Sequence, residues 1–306
     1  MCERVPLTTF RNMSAHRGVT LLLHVMAVSA ALGLAAGSKT GRGFRPTSMP
    51  SSKRPNVSKR KQQKMEALLL RTLHLQDVWE RMSASVPSFK TLTQSAEIAP
   101  SPTHGLGLFA RGDIDQDMMV SLYPVDALGS TGSCLFTGAE NEAIFGDGNK
   151  EPSRAYRVEI NHRSLVNWAD DLWVDANPNL ADRPGWLAHR ANDAASCTAA
   201  PTEEAILDYY AQCAERANVI LVPFGDVAPI MCLWTLRPIS AGEEIFQIYG
   251  HDYWVSRQGG DVPPYTEAVL RAAQGCWKQK AQEVVRKDLP RLMQDEIALL
   301  EGIMDG

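Results

Sequence analysis

Cysteine is the first scarcity. Six stand in 306 residues, Cys2, Cys134, Cys197, Cys213, Cys232 and Cys276, and no two have C-x-x-C or C-x-C spacing. Zinc fingers and ribbons need such pairs, so no metal site is expected from them. A chain this long can bury a core without covalent staples, so the thiols are read as inert rather than as a disulfide framework. Acid is missing from the start of the chain. Residues 1–64 carry twelve Lys and Arg but only one acid, Glu3, whereas the remainder carries 19 basic and 34 acidic groups. An acidic body repels nucleic acid and steers basic partners, although the same charge also keeps a surface soluble. A third glycine is missing after Gly105-Leu106-Gly107, and no helical pattern opens there, which excludes a dinucleotide fingerprint.

The acid-poor leader has its own pattern. Arg11, His16 and Arg17 precede an apolar run from Val19 to Ala36 that ends in small residues. These are the parts of a secretory signal peptide. Gly37 to Lys64 is rich in Ser, Pro, Lys and Arg, a composition that resists folding and matches a transit peptide. Together they resemble the bipartite leaders of proteins imported into complex plastids, so import into a plastid or another organelle is expected. Two rivals stay open. Lys53-Arg54-Pro55 with Lys59-Arg60-Lys61 also reads as a nuclear localisation patch. A retained apolar run would anchor the body to a membrane, the one case in which a membrane partner is expected.

From Met65 to Met82 apolar residues recur at helical spacing with no Gly or Pro, which predicts a helix, with a linker to about residue 94. Short apolar runs bounded by Gly, Pro and Asp then predict strands at Leu106–Ala110, Met118–Tyr123, Arg157–Ile160, Leu172–Val174, Val219–Phe224, Pro229–Leu236 and Ile245–Tyr249. Gly225-Asp226 reads as a hairpin turn. Ala127 to Ser153 reads as one long polar loop, and Glu203 to Ala217 as a helix capped by Thr202. Residues 256–306 read as helices interrupted at Pro290. The fold class is therefore α+β: mainly β, in short sheets, with helices at both ends.

Three stretches carry candidate chemistry. In the first, Gly105 and Gly107 allow a close backbone approach to a ligand or shape a tight turn. The second is Ala188-His189-Arg190-Ala191-Asn192-Asp193. The third runs from Ala241-Gly242-Glu243-Glu244 to Tyr249-Gly250, where Tyr249 is either a core residue with a satisfied hydroxyl or a catalytic one. Glu243 and Glu244 read as turn and surface charges. His104, His189 and His251 lack ligand spacing and read as structural or exposed.

Taken in order, these stretches resemble the SET-domain family of protein lysine methyltransferases. His104-Gly105-Leu106-Gly107-Leu108-Phe109-Ala110 resembles the opening motif, and Trp173-Val174-Asp175-Ala176 the strand end before the asparagine motif. Asn192 takes the Asn position, and Arg237-Pro238-Ile239 with Ala241–Ile245 and Tyr249-Gly250 resembles the closing motif. The likeness covers about residues 95–255, with residues 203–217 as a helical insertion. It implies a fold of short sheets with a C-terminal pseudoknot and S-adenosylmethionine as cofactor. The implied reaction is methyl transfer to the ε-amine of a lysine in a protein substrate, one rich in basic residues by the charge reading. By the same resemblance Tyr249 is the catalytic hydroxyl, and Gly105, Leu106, Gly107, Leu108, Asn192, Asp193 and Trp254 bind the donor. The same resemblance implies that Tyr156 lines the substrate channel. Asp193 and Ala194 stand where the family has His and Ser, and the second Asn, Asn218, falls after the insertion. The family's flanking zinc segments and large helical domain are missing. The alternative is a SET-fold module that binds peptide or donor without turnover.

Overall fold

The computed structural model describes residues 59–85, 93–130, 133–138, 156–160, 172–197, 202–223, 229–257, 266–273, 275 and 279–284. The leader up to residue 58, the turn at 225–226, residues 139–155 and the segment beyond 284 lie outside the described residues. What is described is mixed α+β, with several small sheets and few helices.

The first helix, α1 (Lys59–Ser85), begins six residues earlier than its apolar stripe predicts, because Lys59–Lys64 contains no breaker. It buries Met65, Leu68 and Leu69, and the Thr72 hydroxyl returns to the Leu68 carbonyl at 2.9 Å. Among the described residues no helix is long and apolar enough to cross a membrane.

One sheet gathers strands from opposite ends of the chain. β1 (Ala96–Pro100) pairs antiparallel with β2 (Leu106–Ala110). The other edge of β2 takes Glu244 and Ile245 of the strand Glu244–Gln247, antiparallel, and that strand takes Asn192-Asp193 in parallel. The remaining strands, in chain order, are β3 (Met119–Leu122), β4 (Ala127–Ser130), β5 (Ser133–Phe136), β6 (Arg157–Glu159), β7 (Trp173–Asp175), β9 (Val219–Pro223) and β10 (Met231–Thr235). Asn192-Asp193 is β8 and Glu244–Gln247 is β11. The first sheet thus has the order β1-β2-β11-β8, the second β3-β10-β9 and the third β5-β4-β7-β6. The helices after α1 are α2 (Glu203–Arg216), α3 (His251–Arg257), α4 (Glu267–Ala273) and α5 (Gln279–Glu283).

Two corrections to the sequence reading follow. The expected loop from Ala127 to Ser153 begins as the antiparallel pair β4–β5, in register from Ala127↔Phe136 to Ser130↔Ser133. Its small residues, Ala127, Gly129 and Ser130, look like loop composition but answer to packing. Gly129 lies across from Trp173, and a Cβ there would come within 1.9 Å of the indole. The Arg157 guanidinium stacks over the Trp173 ring, 3.9 Å from its centroid. Gly129→Ala is expected to cost about 3 kcal/mol, the upper end for overpacking a close-packed site, measured as a lowered urea midpoint at constant slope. The second correction concerns the last strand, which ends at Gln247 and leaves Tyr249 in the segment leading into α3.

β11 divides two cores by simple alternation. Ile245 joins a core with Leu108, Val174 and Leu233, whereas Phe246 packs on a second core built by Ile206, Tyr209, Tyr210 and Val269. The α2 reading is accurate to one residue, and the Thr202 hydroxyl accepts the Ala205 amide as its N-cap.

Candidate active site

The three stretches meet around β11. Gly105 has φ +48, a left-handed conformation that glycine adopts without strain, and its carbonyl takes the Ser101 amide at 2.8 Å. The Ser101 hydroxyl accepts the Thr103 and His104 amides and donates to Glu244 at 3.0 Å. Gly107 is fixed by a different demand: a Cβ there would meet Glu244 Oε1 at 2.3 Å and Asn192 Nδ2 at 3.0 Å. Of the two glycines, then, Gly105 faces open space and Gly107 faces protein.

Asn192 joins all three stretches. Its Nδ2 donates to the His104 carbonyl at 3.2 Å, the Leu106 carbonyl at 3.1 Å and Glu244 Oε1 at 2.9 Å. Glu244 is therefore no surface charge. It is buried, and its carboxylate is met by Asn192 and Ser101. Glu243 does behave as a turn residue. Partial burial pushes its carboxyl up, but hydrogen bonds from Arg237, the Ser240 amide and Asn218 more than offset this and hold it below its ordinary value. Asn218, fully buried after α2, grips the other side of β11. Its Oδ1 accepts the Phe246 amide and its Nδ2 donates to the Glu244 carbonyl, both at 2.8 Å.

Tyr249 donates its hydroxyl proton to the Ala191 carbonyl at 2.9 Å, and the same carbonyl accepts Gln247 Nε2 at 3.0 Å. Burial, then the neighbouring Tyr253, Asp193 and Tyr156, raises its pKa well above the usual phenol, so it stays neutral. The Tyr253 ring stands edge-on at 4.7 Å. Tyr156 opens the β6 side, half-buried, with its ring 6.1 Å from His189 and its carbonyl taking the Tyr123 hydroxyl. His189, buried against Arg190 and Arg183, has its pKa pushed down to about 4 and is neutral at physiological pH.

The remaining site residues named from sequence fall in two groups. Leu106 is an exposed apolar side chain at the mouth of β2, whereas Leu108 lies wholly in the first core and leaves only backbone to a ligand. Asp193 is 1% exposed and turns its carboxylate into the second core. There Oδ2 accepts the Tyr209 hydroxyl at 2.8 Å and the Trp254 indole N–H at 2.7 Å, and Oδ1 takes the Cys213 thiol at 3.9 Å. Trp254 lies 5.6 Å from the His104 ring, tilted by 37°. His104 Nε2 is buried without a hydrogen-bond partner among the described residues. Sequence reasoning missed Tyr209, Tyr253 and the buried role of Glu244. Only Tyr209 left a trace, since it shares the buried stripe of α2 with Ile206 and Cys213. No group of three or more His, Cys, Asp or Glu suited to a metal occurs among the described residues.

Behind Tyr156 lies a pair of buried acids. Asp175 is fully buried, 3.3 Å from Arg157 Nη2, and its Oδ1 has no hydrogen-bond partner among the described residues. Burial pushes its carboxyl up to about 7, with Arg157 pulling the other way. Asp126 is also raised by burial, against the pull of the Asn177 amide and Arg183. A raised folded pKa means that the native state holds the proton more tightly than the unfolded chain. The resulting stabilisation is complete below about pH 4, near the unfolded value, and is lost as pH rises through about 7. Urea unfolding of Asp175→Asn from pH 5 to 8 should give a flatter stability profile than the unsubstituted chain.

No protein-family model matches the sequence, and no curated protein matches it. Among solved structures, that of a Plasmodium falciparum candidate histone methyltransferase aligns with 53% of this chain and 97% of its own, at 13% identity and a TM-score of 0.29. An overlap that low does not establish a shared fold.

Proposed function

We propose that this chain is a SET-type protein-lysine N-methyltransferase that uses S-adenosylmethionine. The observation that carries the reading is the sheet order β1-β2-β11-β8, which brings the opening glycine stretch, Asn192 and the strand leading to Tyr249 to one place. These are the stretches whose residues resemble the SET motifs, and their convergence is what that resemblance requires.

The residues present fit such a donor. Gly105 leaves open space, Leu106 presents an exposed apolar side chain, and His104 holds an unpartnered buried nitrogen beside the Trp254 indole. Open backbone, apolar surface, an aromatic face and an unused hydrogen-bonding nitrogen are the contacts an adenosyl amino acid can take. When bound, S-adenosylmethionine supplies a methyl group activated on a sulfonium.

The chain's own part is alignment and charge control. The proton of the Tyr249 hydroxyl is committed to the Ala191 carbonyl, so its oxygen faces the reaction as an acceptor, able to orient an amine N–H. Tyr156, Tyr253 and Tyr123 gather near Tyr249 and make an environment that disfavours a charged ammonium, which lowers a lysine pKa toward the neutral, nucleophilic form. Holding amine and methyl in line can supply roughly 7–11 kcal/mol of the barrier.

The acidic balance outside the leader favours a Lys- and Arg-rich substrate segment. The leader's composition favours organelle import, with the nucleus as the rival destination. Calorimetry on the full chain tests the donor half of this proposal: S-adenosylmethionine should bind in one site, and basic peptides should bind more tightly than acidic ones. Absence of donor binding would sink the proposal, and equal peptide affinities would remove its charge argument.

A further inference from the structure

The insertion helix α2 interrupts the resemblance to the family, yet two consecutive tyrosines on it reach into the candidate site. Tyr209 is 1% exposed. Its hydroxyl accepts the Gly250 amide at 2.9 Å and donates to Asp193 Oδ2 at 2.8 Å. Asp193 in turn accepts the Trp254 indole N–H at 2.7 Å. Gly250 has φ +96 and is the hinge between Tyr249 and α3. Tyr210, packed edge-on against Tyr209 at 5.1 Å, places its hydroxyl 2.9 Å from His251 Nδ1, the next residue of that hinge. α2 therefore grips both residues that follow Tyr249.

From this geometry we infer that Tyr209 is a positioning residue for Tyr249: its hydroxyl, donating one hydrogen bond to Asp193 while accepting the Gly250 amide, makes the insertion helix set where the Tyr249 hydroxyl stands. The inference rests on the reading of Tyr249 as the residue that orients the amine. It also gives Asp193 and the insertion a shared purpose. A histidine at position 193 could not accept two hydrogen bonds on one oxygen, and without α2 the carboxylate would lose the Tyr209 and Cys213 donors that meet it inside the core.

The groups facing Asp193 are Tyr209 and Cys213 from α2, Tyr253 and Trp254 from α3, and the backbone amides of Ala195 and Tyr249. Arg257, which acts on Tyr249 and Tyr253, donates to the Tyr253 hydroxyl at 2.6 Å. Burial pushes the Asp193 carboxyl up to about 6, while the bonds from Trp254 and Tyr209 pull it down. Removing the Tyr209 hydroxyl therefore moves this titration to higher pH, an effect that simple loosening of the helix does not produce.

Gly250 is the only glycine that follows a tyrosine in the sequence. Carbonyl-13C tyrosine with 15N-glycine labelling of the full chain therefore gives it a single correlated NMR signal. In the unsubstituted chain that signal should be protected from exchange and should shift with a midpoint near the Asp193 value. Tyr209→Phe should speed Gly250 exchange at least tenfold and raise the midpoint. Asp193→Asn, which has no carboxyl to titrate, should abolish the midpoint. Gln212→Ala, on the exposed face of the same helix, should change neither. In the transfer assay, Tyr209→Phe should lower kcat at least tenfold with less than a threefold change in donor KM. Unchanged Gly250 exchange in Tyr209→Phe, or a midpoint that persists in Asp193→Asn, would overturn the inference. Donor that fails to bind the unsubstituted chain would instead overturn the proposed function, while the exchange result still decides the role of Tyr209.

Discussion

Asn192→Ala is expected to cost both stability and the donor site. The two N–H groups of the side-chain amide are shared among three acceptors, the His104 and Leu106 carbonyls and the buried Glu244 carboxylate. Truncation removes them together and leaves the buried Glu244 carboxylate with the Ser101 hydroxyl. Losing the bond to the charged group accounts for about 1.5–3 kcal/mol, with the exposed Leu106 carbonyl returned to water. The same change releases the 104–106 turn from β8, and displacing a ligand-facing segment by about 1 Å can lower function about 100-fold. Thermal unfolding and donor calorimetry on the same preparation check the two effects. Asn192→Asp is informative beside it, because it places a second carboxylate on Glu244 and should be worse than Ala. Donor affinity unchanged in the folded Asn192→Ala variant would remove this residue from the site.

Tyr249→Phe is expected to do the opposite: little change in folding or donor affinity, and a large fall in turnover. Among the described residues the hydroxyl makes one hydrogen bond, to Ala191, whose carbonyl keeps the Gln247 amide as a second donor. The ring's packing against Tyr253 is retained in phenylalanine. Stability should therefore fall by no more than about 1 kcal/mol. If the hydroxyl oxygen orients the amine only in the reacting complex, its loss appears in kcat, by about 10²–10³-fold for a positioned polar group in a closed site. A rise in KM with unchanged kcat would mean that Tyr249 only binds, and the catalytic assignment would be withdrawn.

How much of this was legible in the sequence differs from element to element. The strands at Leu106–Ala110 and Val219–Pro223 were readable because each is a short apolar run between breakers, and α2 because its cap and stripe are local features. The pair β4–β5 was not, since Gly129 and Ser130 are small for the sake of Trp173 and Met65, residues distant in sequence. The convergence at β11 was suggested by motif order alone. Its register, with Phe246 beside Asn192, required the fold. Glu244 looked exposed because a Gly-Glu-Glu turn ordinarily is, and only the approach of Ser101 and Asn192 buries it. Asp193 was assigned to the donor by resemblance alone. Its partners, Tyr209 and Trp254, lie on two helices with no sequence pattern linking them to it.

The measurement that bears most directly on the central claim is transfer itself. The full chain, S-adenosylmethionine tritiated on the methyl group and a set of basic and acidic proteins should be incubated together, with Tyr249→Phe in parallel. The expected result is label on lysine of the basic proteins, confirmed by mass spectrometry of a parallel reaction with unlabelled donor, and label reduced by about 10²–10³-fold in the variant. Donor bound by the unsubstituted chain with no label on any protein would contradict the enzyme reading and leave a binding module in its place.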